Sequence, residues 1–162
     1  MPTLRFHDRF DATERRILTR TFRQNCRDLG ITNRDASIDV RKVKLNRKHS
    51  LGAITHPAPG LFIMILNREN DLMRSIFALG HEMVHFDQHT RGDMRDDPVT
   101  QTTFWKGEAF PAWLTRSPEH YERLPWEIEA HAKQDALMDN AMRCLPLDER
   151  RFVCDNAIAD AA

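Results

Sequence analysis

Cysteine is scarce in this sequence, which has three among its 162 residues. They stand at Cys26, Cys144 and Cys154, so their number is odd and no two have the spacing CxxC. This pattern predicts neither a framework of disulfides nor a zinc site built from thiolates. We therefore expect a protein of a reducing, cytoplasmic compartment, in which the cysteines serve as small hydrophobic residues.

The sequence also lacks a long apolar run and an excess of charge of one sign. No segment approaches the ~18 consecutive apolar residues of a membrane-spanning helix, and the first residues do not form the apolar part of a signal peptide. Lys and Arg together number 24, as do Asp and Glu, so the formal net charge is zero. Because proteins dedicated to nucleic acid usually carry a basic excess, we expect neither a membrane nor a nucleic-acid partner.

What the sequence does contain is a succession of helix and strand patterns that fits one α+β domain over residues 1–162. Asp11 and Glu14 have the spacing of a capping box, in which each side chain accepts a hydrogen bond from the other residue's backbone amide. The helix that follows is predicted over residues 12–29, with Leu18 and Phe22 on its apolar face.

Three short segments after this helix have the patterns of strands. The last of them is a continuous apolar run, which indicates a buried strand. Because the connections are short, we expect a sheet of about three strands with antiparallel neighbours. The segments are 38–45 with one bulge, 51–55, and 61–66, and a turn is predicted over 56–60.

The second half of the chain is mainly helical. A helix capped by Asp71 and ending near Gly92 is apolar almost all round, which indicates a central position in the fold. Residues 93–116 have a loop-like composition with one hairpin. Pro125 begins a third helix that is predicted to end near residue 144, and a last short helix follows.

The central helix carries the pattern HExxH at His81, Glu82 and His85. Residues four apart on a helix lie on the same face, so the two imidazoles can bind one cation. The carboxylate of Glu82 falls beside this pair, where it can take a proton from a water on the metal. Zinc (Zn2+) accepts imidazole and carboxylate ligands and keeps a position open for water at catalytic sites. The strongly apolar setting of the motif favours a buried zinc site over scattered surface charges.

A catalytic zinc site needs a third protein ligand. His89 lies one turn beyond the motif, too far along the helix to share an ion with His81, and we expect it at the surface. The next helix carries Glu127 and Glu129 in its first turns. The two carboxylates are ~200° apart around the helix, so only one of them is expected to reach the metal.

Together these motifs resemble the gluzincin metallopeptidases, in which HExxH is followed by a helix with an ExxA motif. The chain is similar, over about residues 60–135, to small metallopeptidase-like proteins of phages and bacteria, minimal gluzincins related to the SprT-like and ImmA/IrrE-like groups. The resemblance implies a zincin-like domain, in which a sheet packs on the first helix and the HExxH helix, and a later helix bears the third ligand. The residues that carry it are HEMVHFDQ at 81–88, WKG at 105–107, Tyr121, and PWEIEA at 125–130.

By this resemblance Glu127 is the third zinc ligand, together with His81 and His85. Glu129 also begins an ExxA motif and is the second choice. Many gluzincins carry an aspartate four residues after the ligand, where it holds a zinc-bound imidazole, but this chain has His131 there. His131 is therefore a further candidate ligand, and the orientation of the ligand imidazoles is left open.

The function these residues predict is a zinc-dependent peptidase that cleaves a peptide or protein with metal-activated water, with Glu82 as the general base. Tyr121, the only tyrosine, and His131 are candidates to stabilise the oxyanion. Two alternatives are a regulatory or binding protein with a peptidase-like fold and a DNA-associated protease of the SprT kind. The presence of Glu82 argues against the first, because a purely structural site needs no base, and the zero net charge argues against the second.

Overall fold

The computed structural model describes residues 1–7, 9–32, 35–45, 50–115 and 118–159. These residues form both helices and strands, so the predicted α+β class is confirmed. The elements, in chain order, are β1 (Thr3–Phe6), α1 (Ala12–Asp28), β2 (Ser37–Val43), β3 (Gly52–Ala58), β4 (Leu61–Asn67), α2 (Leu72–Thr90), β5 (Met94–Asp97), β6 (Thr102–Trp105), β7 (Glu108–Pro111), a 3-10 helix (Ala112–Thr115), α3 (Pro118–Tyr121), α4 (Pro125–Cys144) and α5 (Leu147–Ala159).

The larger sheet has four strands in the order β1-β2-β4-β3. β1 is parallel to β2, β2 is parallel to β4, and β3 is antiparallel to β4. The prediction of about three strands with antiparallel neighbours is therefore confirmed only for β3 and β4, and it is wrong for the two parallel pairs and for the number of strands. It failed because β1 was not recognised: with β1 in the sheet, α1 becomes the crossover that joins two parallel strands. A second reason is that β4 lies between β2 and β3. It is the antiparallel partner of β3, which precedes it in the chain, and also the parallel partner of β2 on its other side.

The strand boundaries differ from the prediction at the edge of this sheet. β3 continues to Ala58, so that much of the segment predicted as a turn is strand, with a shift of register between Thr55 and Ala58. Pro57 is tolerated there because β3 is an edge strand, where a missing N–H breaks no central ladder. The bulge predicted within residues 38–45 is wrong, since β2 keeps a regular parallel register with β4 along its whole length.

α1 begins with the predicted capping box. The backbone N–H of Glu14 donates to Asp11 Oδ1 at 2.8 Å, and that of Asp11 donates to Glu14 Oε2 at 3.0 Å. The buried face of the helix, with Leu18, Phe22 and Cys26, packs into the main core with the apolar side chains of the sheet and of α2. The predicted bounds of this helix are confirmed within one residue.

α2 lies at the centre of the fold, as its apolar sequence predicted. It contacts α1, α4, α5 and strands of both sheets. Its first turn is capped by Asp71, whose Oδ1 accepts a hydrogen bond from the backbone N–H of Arg74 at 2.6 Å. α2 ends at Thr90, and Gly92 just beyond it has a left-handed φ of 78°. Among the described residues, no helix has both the length and the apolar character needed to cross a membrane.

A second, antiparallel sheet with the order β5-β6-β7 occupies the region that was predicted to be mostly loop. The predicted hairpin is confirmed as β6 and β7, and β5 extends it. Trp105 at the end of β6 is buried against Leu124 and Trp126. This cluster fixes the residues at which α4 begins, directly before Glu127.

α4 packs closely along α2 because small residues lie between them. Ala130 is fully buried in a cluster with Val84 and Leu137. At Gly80 an added Cβ would be 3.5 Å from the Cβ of Leu137. The close approach of the two helices brings the first turn of α4 level with the HExxH motif.

Candidate metal centre

Three side chains from α2 and α4 converge inside the protein. The Nε2 atoms of His81 and His85 are 3.1 Å apart. Glu127 Oε2 lies 3.2 Å from His81 Nε2, and Glu127 Oε1 lies 3.2 Å from His85 Nε2. One ligand atom from each of the three residues lies within 4.8 Å of the others, a spacing at which they could hold a metal ion.

The secondary structure accounts for this convergence. His81 and His85 are one helical turn apart on α2, so their rings leave the helix on the same side. Glu127 lies in the first turn of α4, which Pro125 begins and the Trp105–Trp126 cluster holds in place. Its side chain is 2% exposed and faces the two imidazoles. Local spacing therefore aligns two candidate ligands, and helix packing supplies the third.

The residues present fit a cation by their chemistry. His81 Nδ1 lies 2.9 Å from Gln134 Oε1, and His85 Nδ1 lies 2.8 Å from Gln88 Oε1. An amide oxygen only accepts, so each Nδ1 carries a proton, and in a neutral ring Nε2 is then an acceptor. Glu127 Oε1 is buried and receives no well-directed hydrogen bond from the described residues. With both rings neutral, three acceptors would face one another, an arrangement that a positive ion stabilises.

Without an ion, the same groups hold one another by proton sharing. Burial works to lower the pKa of His85, but the carboxylates of Glu127 and Glu82 outweigh it and raise that pKa to about 9. The pKa of His81 is raised as well, because the carboxylates of Glu127 and Glu82 again outweigh the effect of burial. Burial works in the opposite direction on Glu127, yet the two imidazoles and Tyr121 beside its carboxylate hold its pKa well below the usual range. The three residues therefore form a strongly coupled ionic group.

Glu82 lies beside this group and outside it. Its side chain is buried, and burial raises the pKa of its carboxyl, although the nearby imidazoles of His85 and His81 oppose the shift. It packs against the backbone of the edge strand β3, where a Cβ at Gly52 would come within 3.0 Å of Glu82 Oε1. The predicted base is thus a buried carboxylate close to, but separate from, the three candidate ligands.

The two predicted oxyanion donors lie at the border of the centre. The side chain of Tyr121 hydrogen-bonds the carboxylate of Glu127. The ring of His131 lies one turn further along α4, with its centroid 5.1 Å from that of His81, and the residue is exposed. His131 does not belong to the group of candidate ligands. The role of His131 toward a substrate stays a prediction.

The other two ligand candidates have different partners. Glu129 faces away from the imidazoles and binds Arg91 Nη2 at 2.8 Å and Lys133 Nζ at 2.5 Å. Burial works to raise the pKa of its carboxyl, but the hydrogen bonds from Arg91 and Lys133 lower it to about 2. His89 was expected at the surface, and this was wrong: its side chain is 3% exposed. It is covered because β5 and β3 pack over this end of α2, placing Asp96 and His56 beside it.

Sequence reasoning gave no role to Gln88, although it ends the motif at 81–88, and it missed Gln134; these are the partners of the two imidazoles. Gln134 follows Glu127 by seven residues and His131 by three, so helical periodicity places all three on one face of α4. That periodicity could have singled it out. Gln88 is three residues after His85 on α2, but a glutamine at that spacing is common and carries no signal by itself. Its contacts become visible only when α4 is in place.

The chain was compared with protein-family models, with curated proteins and with solved structures, and no match was found in any of the three comparisons.

Proposed function

We propose that the protein is a zinc-dependent peptidase with a zincin-like domain of the minimal gluzincin kind. The observation that carries this proposal is the buried group of His81, His85 and Glu127, with the separate carboxylate of Glu82 beside it. Two imidazoles and one carboxylate are the ligands of several catalytic zinc sites, whereas magnesium and calcium prefer oxygen ligands. Three protein ligands also leave a coordination position for water.

In this proposal the residues divide the chemistry between them. A bound zinc ion would lower the pKa of a water molecule and polarise the carbonyl of the scissile bond. Glu82 takes the proton from the attacking water and returns it to the leaving amine. Tyr121 orients the Glu127 carboxylate through its hydrogen bond. His131, which is exposed beside His81, donates a hydrogen bond to the substrate in this proposal.

The position of β3 supports a peptide as the substrate. β3 forms an edge of the four-stranded sheet, and Gly52 in this strand contacts Glu82. An edge strand offers backbone N–H and C=O groups to which an extended peptide can add as a further strand. A peptide bound in this way would run past the proposed base.

The experiment that tests the proposal is hydrolysis of a panel of denatured proteins by the zinc-loaded protein, with and without a chelator, beside the variant Glu82→Gln. The amide is nearly isosteric with the carboxylate but cannot accept the proton. We expect Glu82→Gln to keep the fold and the metal and to lose at least ~100-fold in the rate of hydrolysis. This factor is the lower end of what a positioned general base contributes.

Glu149→Gln is the matched control, because Glu149 is also a buried glutamate but binds Arg16 and Arg20 rather than the metal centre. It should keep its activity at temperatures where it remains folded. Full activity of Glu82→Gln would contradict the role of the base. A zinc-loaded wild-type protein that cleaves nothing in the panel would favour the regulatory or binding alternative.

A further inference from the structure

The side-chain amide of Gln88 contacts both helices of the metal centre, and it is completely buried. Its Oε1 is 2.8 Å from Nδ1 of His85, which lies one turn earlier on α2. Its Nε2 donates to the backbone carbonyl of Trp126 at 2.9 Å and to Glu129 Oε2 at 3.3 Å, both on α4. The side chain thus spans from a candidate ligand to the turn that carries another.

The partners of Gln88 determine which way its amide points. A backbone carbonyl and a carboxylate can only accept hydrogen bonds, so the NH2 end of Gln88 must face Trp126 and Glu129 on α4. The oxygen end must then face His85, where it accepts the proton of Nδ1. Consequently His85 presents Nε2, and not Nδ1, toward Glu127 and His81.

We propose that Gln88 is a positioning residue, which fixes the imidazole of His85 for metal binding and ties it to the first turn of α4. This inference rests on the proposed function, since it assigns a partner to one of the ligands of that site. Partners of this kind orient ligand imidazoles in metal sites, and their loss commonly weakens metal binding.

Gln134 offers a comparison within the same site. Its Oε1 contacts Nδ1 of His81 in the same way. The side chain of His81 is 17% exposed, whereas that of His85 is 6% exposed. Water can replace Gln134 as the acceptor for His81, but water has little access to His85. The two glutamines should therefore differ in importance although they make the same hydrogen bond.

The test measures zinc affinity by competition with a chromophoric chelator, without any substrate. Gln88→Met keeps the approximate size of the side chain and removes both the acceptor and the donor. We expect it to weaken zinc binding by about 10- to 100-fold. Gln134→Met is the matched control and should cause a clearly smaller loss. Circular dichroism and thermal unfolding establish that each variant is folded.

A second pair of variants separates the acceptor role from helix packing. The double variant Gln88→Glu/Glu129→Gln keeps an acceptor for His85, because a carboxylate replaces the amide oxygen, and it avoids two adjacent carboxylates. We expect its zinc affinity to approach that of Glu129→Gln alone, since the hydrogen bond to Nδ1 is restored. If the double variant loses as much affinity as Gln88→Met, the role of Gln88 as an acceptor is wrong and it only packs the helices.

Nuclear magnetic resonance of the metal-free protein tests the contact between Gln88 and His85 without zinc. The Nδ1 proton of His85 should have the downfield chemical shift of a hydrogen-bonded proton in the wild-type protein and should lose that shift in Gln88→Met. An unchanged signal in Gln88→Met, or an affinity equal to that of the wild-type protein, would overturn the inference. If the wild-type protein takes up no zinc while the Nδ1 proton behaves as expected, the proposed function fails and the contact of Gln88 with His85 stands.

Discussion

The backbone of Gly52 lies directly against the carboxylate of Glu82, so that a Cβ at residue 52 would be 3.0 Å from Glu82 Oε1 and 3.1 Å from Glu82 Cγ. The same Cβ would be 3.2 Å from the backbone oxygen of Ile65. Gly52→Ala must therefore displace Glu82 or widen the β3–β4 pair. We expect a loss of about 1–3 kcal/mol of stability, the usual cost of overpacking. Hydrolysis should fall as well, because the proposed base is moved.

Gly80→Ala is a suitable control for the stability measurement. A Cβ at Gly80 would be 3.5 Å from Leu137 Cβ, which is an ordinary contact, and alanine favours the helix by roughly 0.5–1 kcal/mol over glycine. We expect urea denaturation to show Gly80→Ala at least as stable as the wild-type protein. If Gly52→Ala is equally stable, the packing of Glu82 against Gly52 does not constrain the side chain.

We predict that the protein binds about one zinc ion per chain and that His81→Ala or His85→Ala abolishes this binding. Each substitution removes one of the two candidate imidazole ligands, whose Nε2 atoms are 3.1 Å apart. His131→Ala is the control, because His131 borders the group without belonging to it. Metal analysis of dialysed protein checks the stoichiometry. Retention of zinc by His81→Ala and His85→Ala, or its loss in His131→Ala, would show that the ligands are assigned wrongly.

We expect variants of the two carboxylates of α4, Glu127 and Glu129, to differ in zinc binding. Glu127→Ala should lose zinc, since its carboxylate lies 3.2 Å from both imidazoles. Glu129→Ala should keep it, since that side chain binds Arg91 and Lys133 instead. The loss of these partly exposed ion pairs should cost no more than about 1 kcal/mol each. Zinc titration of the two variants gives the answer, and the reverse order of affinities would make Glu129 the ligand.

Cys26 should make the stability of the protein depend on pH in the alkaline range. The thiol is 1% exposed, and burial raises its pKa from 9.0 to about 12. Because the folded pKa lies above the unfolded one, the contribution is complete below pH 9 and is lost as the pH rises toward 12. The stability of the wild-type protein should fall by roughly 2 kcal/mol more than that of Cys26→Ala between about pH 8 and about pH 11. Urea denaturation measures the free energy of unfolding at each pH. An equal pH dependence in the wild-type protein and Cys26→Ala would contradict this prediction.

Local sequence patterns determined the helices and the first two candidate ligands. The capping box at Asp11 and Glu14, the N-cap at Asp71 and the proline at residue 125 each satisfy or remove backbone donors within one turn, so their effects are readable without knowledge of the rest of the chain. The spacing of His81 and His85 can likewise be interpreted without knowledge of the rest of the chain. A helix places residues four apart on one face, whatever packs against it.

The pairing of strands could not be derived in this way. Short connections suggested antiparallel neighbours, yet β2 lies parallel to both β1 and β4. The parallel pairing depends on α1 crossing over from β1 to β2 and on β4 lying between β2 and β3. Both are properties of contacts between segments far apart in the chain, and no local periodicity encodes them.

Within the candidate site, the sequence by itself determined that α2 offers two imidazoles and one carboxylate, and that a later helix offers Glu127 or Glu129. Only the tertiary structure decided between the last two, because the rotation of α4 against α2 turns Glu127 toward the imidazoles and Glu129 toward Arg91. It alone also showed that Gln88 holds His85. A hydrogen bond between helices requires both helices to be in place, and their relative position follows from the packing of buried side chains rather than from either sequence segment.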